Sequence, residues 1–312
     1  MLSESRPNEW WAMISPALTL EASGYLTTPH DAGRVLSGRH SIGNGALVLT
    51  AADRQLVEYI RTLQLGWMQS VSWPIVAEGQ WTGSDWPASE RDVSKVLHKL
   101  CCLLSLLWNE SWQVRVGPQR SDGMKPRLLD DSSPPEVWHR NDVPQRGLRN
   151  EVGLPEWFNQ AWGHSYFDET PTTRSAALTL WREGKLLQPE HPTFALVAFT
   201  AALEQAARLL VQSGDLAASP ATASGRFWAT VDLVAEGSDA GLLRSAKVYE
   251  LRSAAAHGER MPGLEQFYGP VLVPPFLSQG GVDQPSEFVH QTVRILADVA
   301  RSALLRVFAG AL

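Results

Sequence analysis

The sequence predicts a mainly α-helical protein in which a C-terminal helical bundle follows a smaller α+β portion. Two long segments in the second half, 191–214 and 286–312, repeat apolar residues at helical spacing. Two short segments in the first half, 45–50 and 112–117, have the apolar runs and alternation of β-strands. Helical periodicity therefore dominates the second half, and strand character is confined to the first.

A polar segment divides the chain. Residues 117–152 are rich in proline, aspartate, arginine and serine, a composition typical of a linker or long surface loop. We therefore assign 1–150 to an α+β portion and 151–312 to the helical bundle. The cations and acids of this segment interleave, which favours a solvated loop over a phosphate-binding patch.

Composition narrows the class of protein. Hydrophobic residues make up 44% of the 312 residues and charged residues 19%, enough apolar material for a buried core. A net charge of −6 argues against non-specific coating of nucleic acid, which depends on many lysine and arginine contacts with phosphate, although a local site stays compatible with it.

The cysteines and the N-terminal sequence indicate the cellular compartment in which we expect the protein. The two cysteines, Cys101 and Cys102, are adjacent and flanked by leucines, which predicts buried thiols in a reducing cytoplasm. The chain starts without a basic region followed by an apolar run, and no stretch approaches about 18 uninterrupted apolar residues. We expect a soluble cytoplasmic protein with no membrane partner.

The first half contains two predicted helices. Thr50 or Asp53 begins the first, and the second, 93–108, is apolar nearly all round. Ser89 with Asp92 approximates a capping box for the second helix. The tryptophans of 71–90 (Trp73, Trp81 and Trp86) favour gap-filling beneath a loop-rich segment over a stacking platform for nucleic-acid bases.

The bundle begins with helices predicted over 154–169 and 170–187, followed by a long helix that ends at Gly214. Glu204 in the long helix precedes Arg208 by one turn, the spacing of an exposed acidic-to-basic pair. A short helix over 226–237 follows. The closing helix has an apolar stripe consisting of Phe288, Val289, Val293, Leu296, Val299, Ala300, Ala303 and Leu304.

The segment 240–258, AGLLRSAKVYELRSAAAHG, is predicted to be one helix with Asp239 as N-cap and Gly258 as stop. Arg252 and His257 are about 140° apart on such a helix, and both side chains are long enough to converge over its last turn. The residues between them are small, so an RNA strand or a second backbone has room to approach closely.

The pattern Arg-x4-His-Gly, with Tyr249 three residues before Arg252 and Ser253 directly after it, resembles the signature of the HEPN superfamily, and most of all its Apea-like branch. The resemblance covers residues 190–312. It implies a HEPN-like helical bundle and a homodimer in which two signature helices face each other. It also implies that Arg252 and His257 are catalytic, and that Glu204 faces Arg252 from an earlier helix.

The chemistry of these residue types fits RNA cleavage by in-line attack of the 2′-hydroxyl on the neighbouring phosphorus. Histidine exchanges protons near neutral pH, and an arginine fork suits phosphoryl oxygens. The sequence has no ligand cluster for a metal, so we expect a metal-independent endoribonuclease with no cofactor. Tyr249 is expected to orient Arg252 or to stack on a base, and Ser253 to support the site near the dimer contact.

A second interpretation remains open. His257 and Gly258 can simply cap the helix, and Arg252 can simply pair with Glu204 or Glu250. The domain is then a catalytically silent binding or adaptor module that engages a protein or nucleotide.

If the domain is a ribonuclease, analogy with related prokaryotic proteins implies that it serves as a toxin in anti-phage defence. Residues 1–150 then restrain it or sense a trigger, and a trigger or antitoxin protein is its partner.

Overall fold

The computed structural model describes residues 8–16, 34–52, 72–81, 85–121, 150–163, 173–189, 191–218, 221–256 and 284–310. Within these ranges the chain forms eight helices and seven strands, and helix predominates, as a mainly α protein requires. The chain divides into two compact units. The first consists of Met1–Thr19, Leu26–Leu104 and Trp112–Ser165, and the second of Leu20–Tyr25, Ser105–Ser111 and Tyr166–Leu312.

The first unit is built on two β-sheets. Its strands are β1 (Glu9–Pro16), β2 (Arg34–Leu36), β3 (Arg39–Ile42), β4 (Leu47–Ala51), β5 (Ile75–Gln80), β6 (Trp112–Arg120) and β7 (Asn150–Val152). Five of them form an antiparallel sheet in the order β3-β4-β5-β1-β6. The other two, β2 and β7, form a parallel pair.

Strand β1 lies between β5 and β6, and every residue after Glu9 is buried. Met13 pairs with Val76 of β5, and both belong to a buried cluster with Trp11 and Trp73. Trp73 and Trp81 are buried, which confirms the gap-filling interpretation for these two tryptophans, whereas Trp86 is half-buried.

Helix α1 (Trp86–Trp108) begins earlier than predicted. Asp85 Oδ1 accepts the backbone N–H of Ala88 at 2.9 Å, so Asp85 caps the helix and the proposed capping box at Ser89 is wrong. Ser89 is inside the helix, where its hydroxyl donates to the carbonyl of Asp85 at 2.8 Å.

The other helix predicted in the first half has two proposed starts. Thr50 belongs to β4 and begins no helix, whereas the alternative start at Asp53 lies outside the described residues. The predicted strands at 45–50 and 112–117 are confirmed as β4 and β6, and both cysteines are buried thiols.

Helix α2 (Glu156–Gly163) groups with the first unit, whereas the division at 150/151 places it with the bundle. Its contacts explain the grouping. Lys99 donates to the carbonyl of Trp162 at 2.5 Å and lies over the indole ring of the same residue. A Cβ atom at Gly43 would lie 2.6 Å from Trp162 Nε1, so the indole fits closely only because position 43 is glycine. The regulatory role of 1–150 stays a prediction.

The second unit is helical. Its helices are α3 (Thr173–Leu187), α4 (Pro192–Ser213), α5 (Ala223–Val234), α6 (Gly237–Ser245), α7 (Val248–Ala256) and α8 (Gln284–Ala309). Helix α4 contacts α3, α5, α7 and α8 and is therefore the central helix of the unit. The apolar stripe predicted for the closing helix is confirmed in α8 from Val293 to Leu304, where every predicted member is buried. Val289 is half-buried, and the side chain of Phe288 lies outside the described residues.

The sequence of α4 explains its central place. Pro192 occupies the first turn, where no amide donor is needed, and Gly214 ends the helix in the left-handed conformation at φ 86°. Its alanines allow close approach of neighbours, and Phe199 fills the space above Gly184 of α3. In the described residues α4 alone has the length and composition of a membrane span, but 61% of that window is buried, as in the core helix of a bundle.

The predicted single helix at 240–258 is wrong, because the chain breaks between α6 and α7. Lys247 adopts a left-handed conformation at φ 51°, and its amide bonds the carbonyl of Arg244, three residues back. The break allows Ala246 and Val248, on opposite sides of it, both to be buried. Helix α6 has Glu236 as its N-cap residue, so the proposed cap at Asp239 is also wrong: Asp239 lies in the first turn, where it faces the positive end of the helix dipole.

Candidate functional site

Arg252 lies in the middle of α7, one turn after Tyr249. Its Nη2 atom is 3.1 Å from Oε2 of Glu204 on α4, a hydrogen-bonded ion pair between two helices. The side chain of Glu204 is 13% exposed and that of Arg252 is 30% exposed. The contact expected between Glu204 and Arg252 is therefore present. Arg208, the other candidate partner of Glu204, instead donates to Gln205 at 3.5 Å.

Tyr249 is a second contact of Glu204. Its hydroxyl donates a hydrogen bond to the Glu204 carboxylate, and its ring lies 5.3 Å from that of Phe227 on α5, centroid to centroid. Burial raises the pKa of Tyr249, the hydrogen bond and charge of Glu204 raise it further, and the charges of Arg252 and Arg226 oppose the rise. Tyr249 therefore orients Arg252 indirectly, because it holds the carboxylate that the guanidinium contacts.

The guanidinium of Arg252 retains capacity for a ligand. Glu204 contacts its Nη2 atom, and an arginine side chain carries five N–H donors in a planar fork. The side chain is 30% exposed, which leaves part of the fork accessible to a ligand, whereas its Nε atom is buried and has no hydrogen-bond partner within the described part of the chain. A phosphoryl group is an acceptor of the geometry that such a fork suits.

Arg226 is a residue that the sequence analysis missed. It lies one turn inside α5, next to Phe227, and its positive charge acts on Tyr249 together with that of Arg252. Its Nη1 atom donates to the carbonyl of Ala221. One feature could have drawn attention to Arg226, namely its place four residues after a helix cap. Thr222 caps α5, and its hydroxyl accepts a hydrogen bond from Gly225 N at 3.0 Å. That cap places Arg226 near the positive end of the helix dipole, where a cation is disfavoured.

His257 lies outside the described residues, directly after the last residue of α7. Ser253 is described and is half-buried in α7 beside Arg252. The structure therefore brings together Arg252, Glu204 and Tyr249 from the predicted set. The catalytic roles of Arg252 and His257 and the supporting role of Ser253 stay predictions.

We expect Tyr249 to titrate at higher pH than an ordinary tyrosine, because burial and Glu204 raise its pKa from 10.0. The neutral phenol is favoured in the folded protein. Its contribution to the free energy of unfolding is therefore fully present below pH 10.0 and is lost as pH rises through the raised pKa. Carbon-13 NMR of labelled tyrosine, assigned with Tyr249→Phe, measures this pKa.

Glu204→Gln is expected to lower the pKa of Tyr249 relative to the wild type, because it removes the carboxylate charge and leaves the burial unchanged. A wild-type signal that titrates at or below pH 10.0, or one that Glu204→Gln does not move, would contradict the contact between these two side chains.

The described ranges contain no group of three or more histidine, cysteine, aspartate or glutamate residues that could hold a metal ion. Comparisons of the chain with protein-family models, with curated proteins and with solved structures found no match.

Proposed function

We propose that the chain is a metal-independent endoribonuclease of the HEPN type, which cleaves RNA through attack of a 2′-hydroxyl on the adjacent phosphorus. The observation that carries the proposal is the Arg252–Glu204 ion pair in the middle of α7, with Tyr249 on the same carboxylate. It supports the proposal because it fixes an arginine five residues before the single histidine of the motif.

Arg252 binds the scissile phosphate in this proposal. Cleavage places additional negative charge on the two non-bridging phosphoryl oxygens, and a preorganised guanidinium stabilises that charge. Glu204 and Tyr249 act earlier, since they hold the fork in one orientation before RNA arrives. This arrangement reduces the reorganisation that the reaction would otherwise require.

His257 supplies the proton transfer. An imidazole either takes the proton of the attacking 2′-oxygen or gives a proton to the 5′-oxygen that leaves, and both steps are feasible near neutral pH. One Arg252–His257 pair provides a single proton-transfer group. We propose that a homodimer brings a second pair to the same RNA strand, with Ser253 near the contact between the two copies.

We place this ribonuclease in the cytoplasm, as a toxin of prokaryotic stress response or antiviral defence. Unrestrained cleavage of RNA harms the cell that makes the enzyme, so a trigger or antitoxin protein is the expected partner. The portion 1–150 is the segment that we assign to restraint or to recognition of the trigger.

A second function has its own support. An arginine that is 30% exposed and paired with a mostly buried carboxylate also serves to join α4 to α7. If the ion pair serves only to join the two helices, the bundle is a catalytically silent adaptor or binding module for a protein or nucleotide. Its function is then binding and not catalysis.

Cleavage of RNA by the purified full-length chain in EDTA distinguishes these two functions. The ribonuclease is expected to give products that end in 2′,3′-cyclic phosphate, and to leave a matched oligonucleotide without 2′-hydroxyl groups intact. Absence of cleavage on total RNA and on tRNA is the result expected of the silent module and also of a ribonuclease whose trigger is missing. Cleavage of the 2′-deoxy oligonucleotide would contradict attack by the 2′-oxygen.

A further inference from the structure

We propose that Lys247 is a positioning residue of the site, because its left-handed backbone conformation turns α7 so that Arg252 faces the bundle. This inference rests on the proposed ribonuclease function and deepens it, since it names a residue that acts on RNA only through Arg252. The turn itself is a matter of backbone geometry, so part of its test needs no RNA.

Lys247 closes one helix and opens the next. Its amide donates to the carbonyl of Arg244 at 3.0 Å at the end of α6, and its carbonyl accepts the amide of Leu251 at 2.9 Å as α7 begins. The φ angle of Lys247 is 51°, whereas a residue inside an α-helix has φ near about −63°. The backbone of this one residue therefore sets the direction in which α7 leaves α6.

The direction of α7 decides which way Arg252 faces. Successive residues of a helix are about 100° apart around its axis, because one turn contains 3.6 residues. Arg252 follows Leu243 by nine positions, so on one unbroken helix the two side chains would be about 180° apart. Leu243 is fully buried, and Arg252 would then face away from the interior. Arg252 instead contacts Glu204 on the central helix α4, which the turn at Lys247 makes possible.

The left-handed conformation is unusual for a lysine. Four non-glycine residues in the described ranges have a positive φ, and the other three are asparagines, namely Asn8, Asn44 and Asn109. Asparagine adopts this conformation much more readily than lysine does. Residues held in disfavoured backbone conformations are concentrated at functional sites. Since the side chain of Lys247 is exposed, the backbone of this residue is the part that the site uses.

Substitutions at position 247 test this backbone requirement in the full-length chain. Glycine and asparagine adopt positive φ readily, so Lys247→Gly and Lys247→Asn are expected to retain cleavage of RNA in EDTA. A β-branched residue resists it, and Lys247→Val is expected to lower kcat by about 100-fold, the scale of a displacement of about 1 Å at a reacting centre. In an Arg252→Ala background, Lys247→Val is expected to cause no further loss, because it acts through Arg252.

Lys95→Gly is the matched control, because Lys95 is an exposed lysine inside α1. Glycine destabilises a helix interior, so this variant is expected to unfold about 2–4 °C below the wild type. Lys247→Gly is expected to unfold at the wild-type temperature or above it, because glycine relieves the left-handed conformation. The same substitution thus has opposite consequences at the two lysines.

The carbon-13 signal of Tyr249 reports the direction of α7 without RNA. Burial and Glu204 raise the pKa of this tyrosine, and both depend on where α7 lies. Lys247→Val is expected to lower that pKa toward 10.0, whereas Lys247→Gly is expected to keep it raised. The proposal is overturned if a folded Lys247→Val protein keeps the wild-type pKa of Tyr249, or if Lys247→Gly unfolds as far below the wild type as Lys95→Gly does.

Failure of this inference is distinguishable from failure of the ribonuclease. If Lys247→Val lowers the pKa of Tyr249 while His257→Ala cleaves RNA as the wild type does, the turn stands and the ribonuclease site fails. If His257→Ala loses cleavage while a folded Lys247→Val protein cleaves as the wild type does, the ribonuclease stands and the positioning role of Lys247 fails.

Discussion

Arg252→Ala is expected to slow RNA cleavage by about 100- to 1,000-fold, the usual cost of removing one donor that stabilises transition-state charge. The loss has two parts. The variant removes the cation that we propose for the phosphoryl oxygens, and it leaves the Glu204 carboxylate without its counter-ion. Single-turnover cleavage in EDTA measures the effect.

The control is Arg244→Ala, which breaks another ion pair between two helices at a more exposed place. Arg244 Nη2 lies 2.7 Å from Asp232 Oδ1, and its side chain is 44% exposed. This variant is expected to cleave RNA at the wild-type rate. Equal activity of Arg252→Ala and the wild type, with both folded, would contradict the assignment of Arg252.

Stability has to be measured alongside activity, because Arg252→Ala leaves a mostly buried carboxylate without its ion-pair partner. Such a loss costs about 1–3 kcal/mol. Arg252→Lys keeps the charge but not the planar fork, so it is expected to keep most of the stability and to remain impaired in cleavage. The comparison separates the structural role of the ion pair from its role toward RNA.

Trp181→Ala is expected to lower the free energy of unfolding of the helical unit by about 3–5 kcal/mol. Trp181 is fully buried on α3, its Nε1 donates to the carbonyl of Ala297 at 3.1 Å, and its ring lies 6.4 Å from that of Phe199. The substitution leaves a cavity between α3, α4 and α8 and removes the hydrogen bond from the indole to the Ala297 carbonyl. Chemical denaturation followed by circular dichroism measures the change.

Phe194→Ala is the comparison for this variant. Phe194 lies on α4 but is 47% exposed, so its loss is expected to change stability by about 0.5 kcal/mol or less. A loss for Trp181→Ala as small as that for Phe194→Ala would contradict the place of α3 against α4 and α8.

The elements that the sequence predicted best are those with strong periodicity and clear end signals. Helix α4 has proline at its start and glycine at its end, and the structure ends it where Gly214 predicts. The apolar stripe of α8 is equally regular. In such segments the local preference of the residues for a helix and the burial of their apolar face in the bundle favour the same structure.

The misassigned elements depend on tertiary contacts that periodicity does not carry. The turn at Lys247 was not predicted, because its residues continue an acceptable helical pattern and the burial of Val248 decides the break. The parallel pair of β2 and β7 joins residues more than 100 positions apart in sequence, which a local pattern does not contain.

Only the part of the candidate site that belongs to the sequence motif could be predicted, because the rest depends on contacts between helices. The motif identified Arg252 directly, and the expectation that an earlier acidic residue faces it identified Glu204. Arg226 has no place in the motif and enters only through the contact of α5 with Tyr249. Charged residues that reach a site from a neighbouring helix are visible only when the packing of the helices is known.

The central claim is that Arg252 and His257 cleave RNA without a metal ion. The most direct test is single-turnover cleavage of RNA in EDTA by the wild type and His257→Ala, with the product ends identified by mass spectrometry. We predict cleavage by the wild type, products ending in 2′,3′-cyclic phosphate, and loss of cleavage in a folded His257→Ala protein. Equal cleavage by the two proteins would contradict the claim.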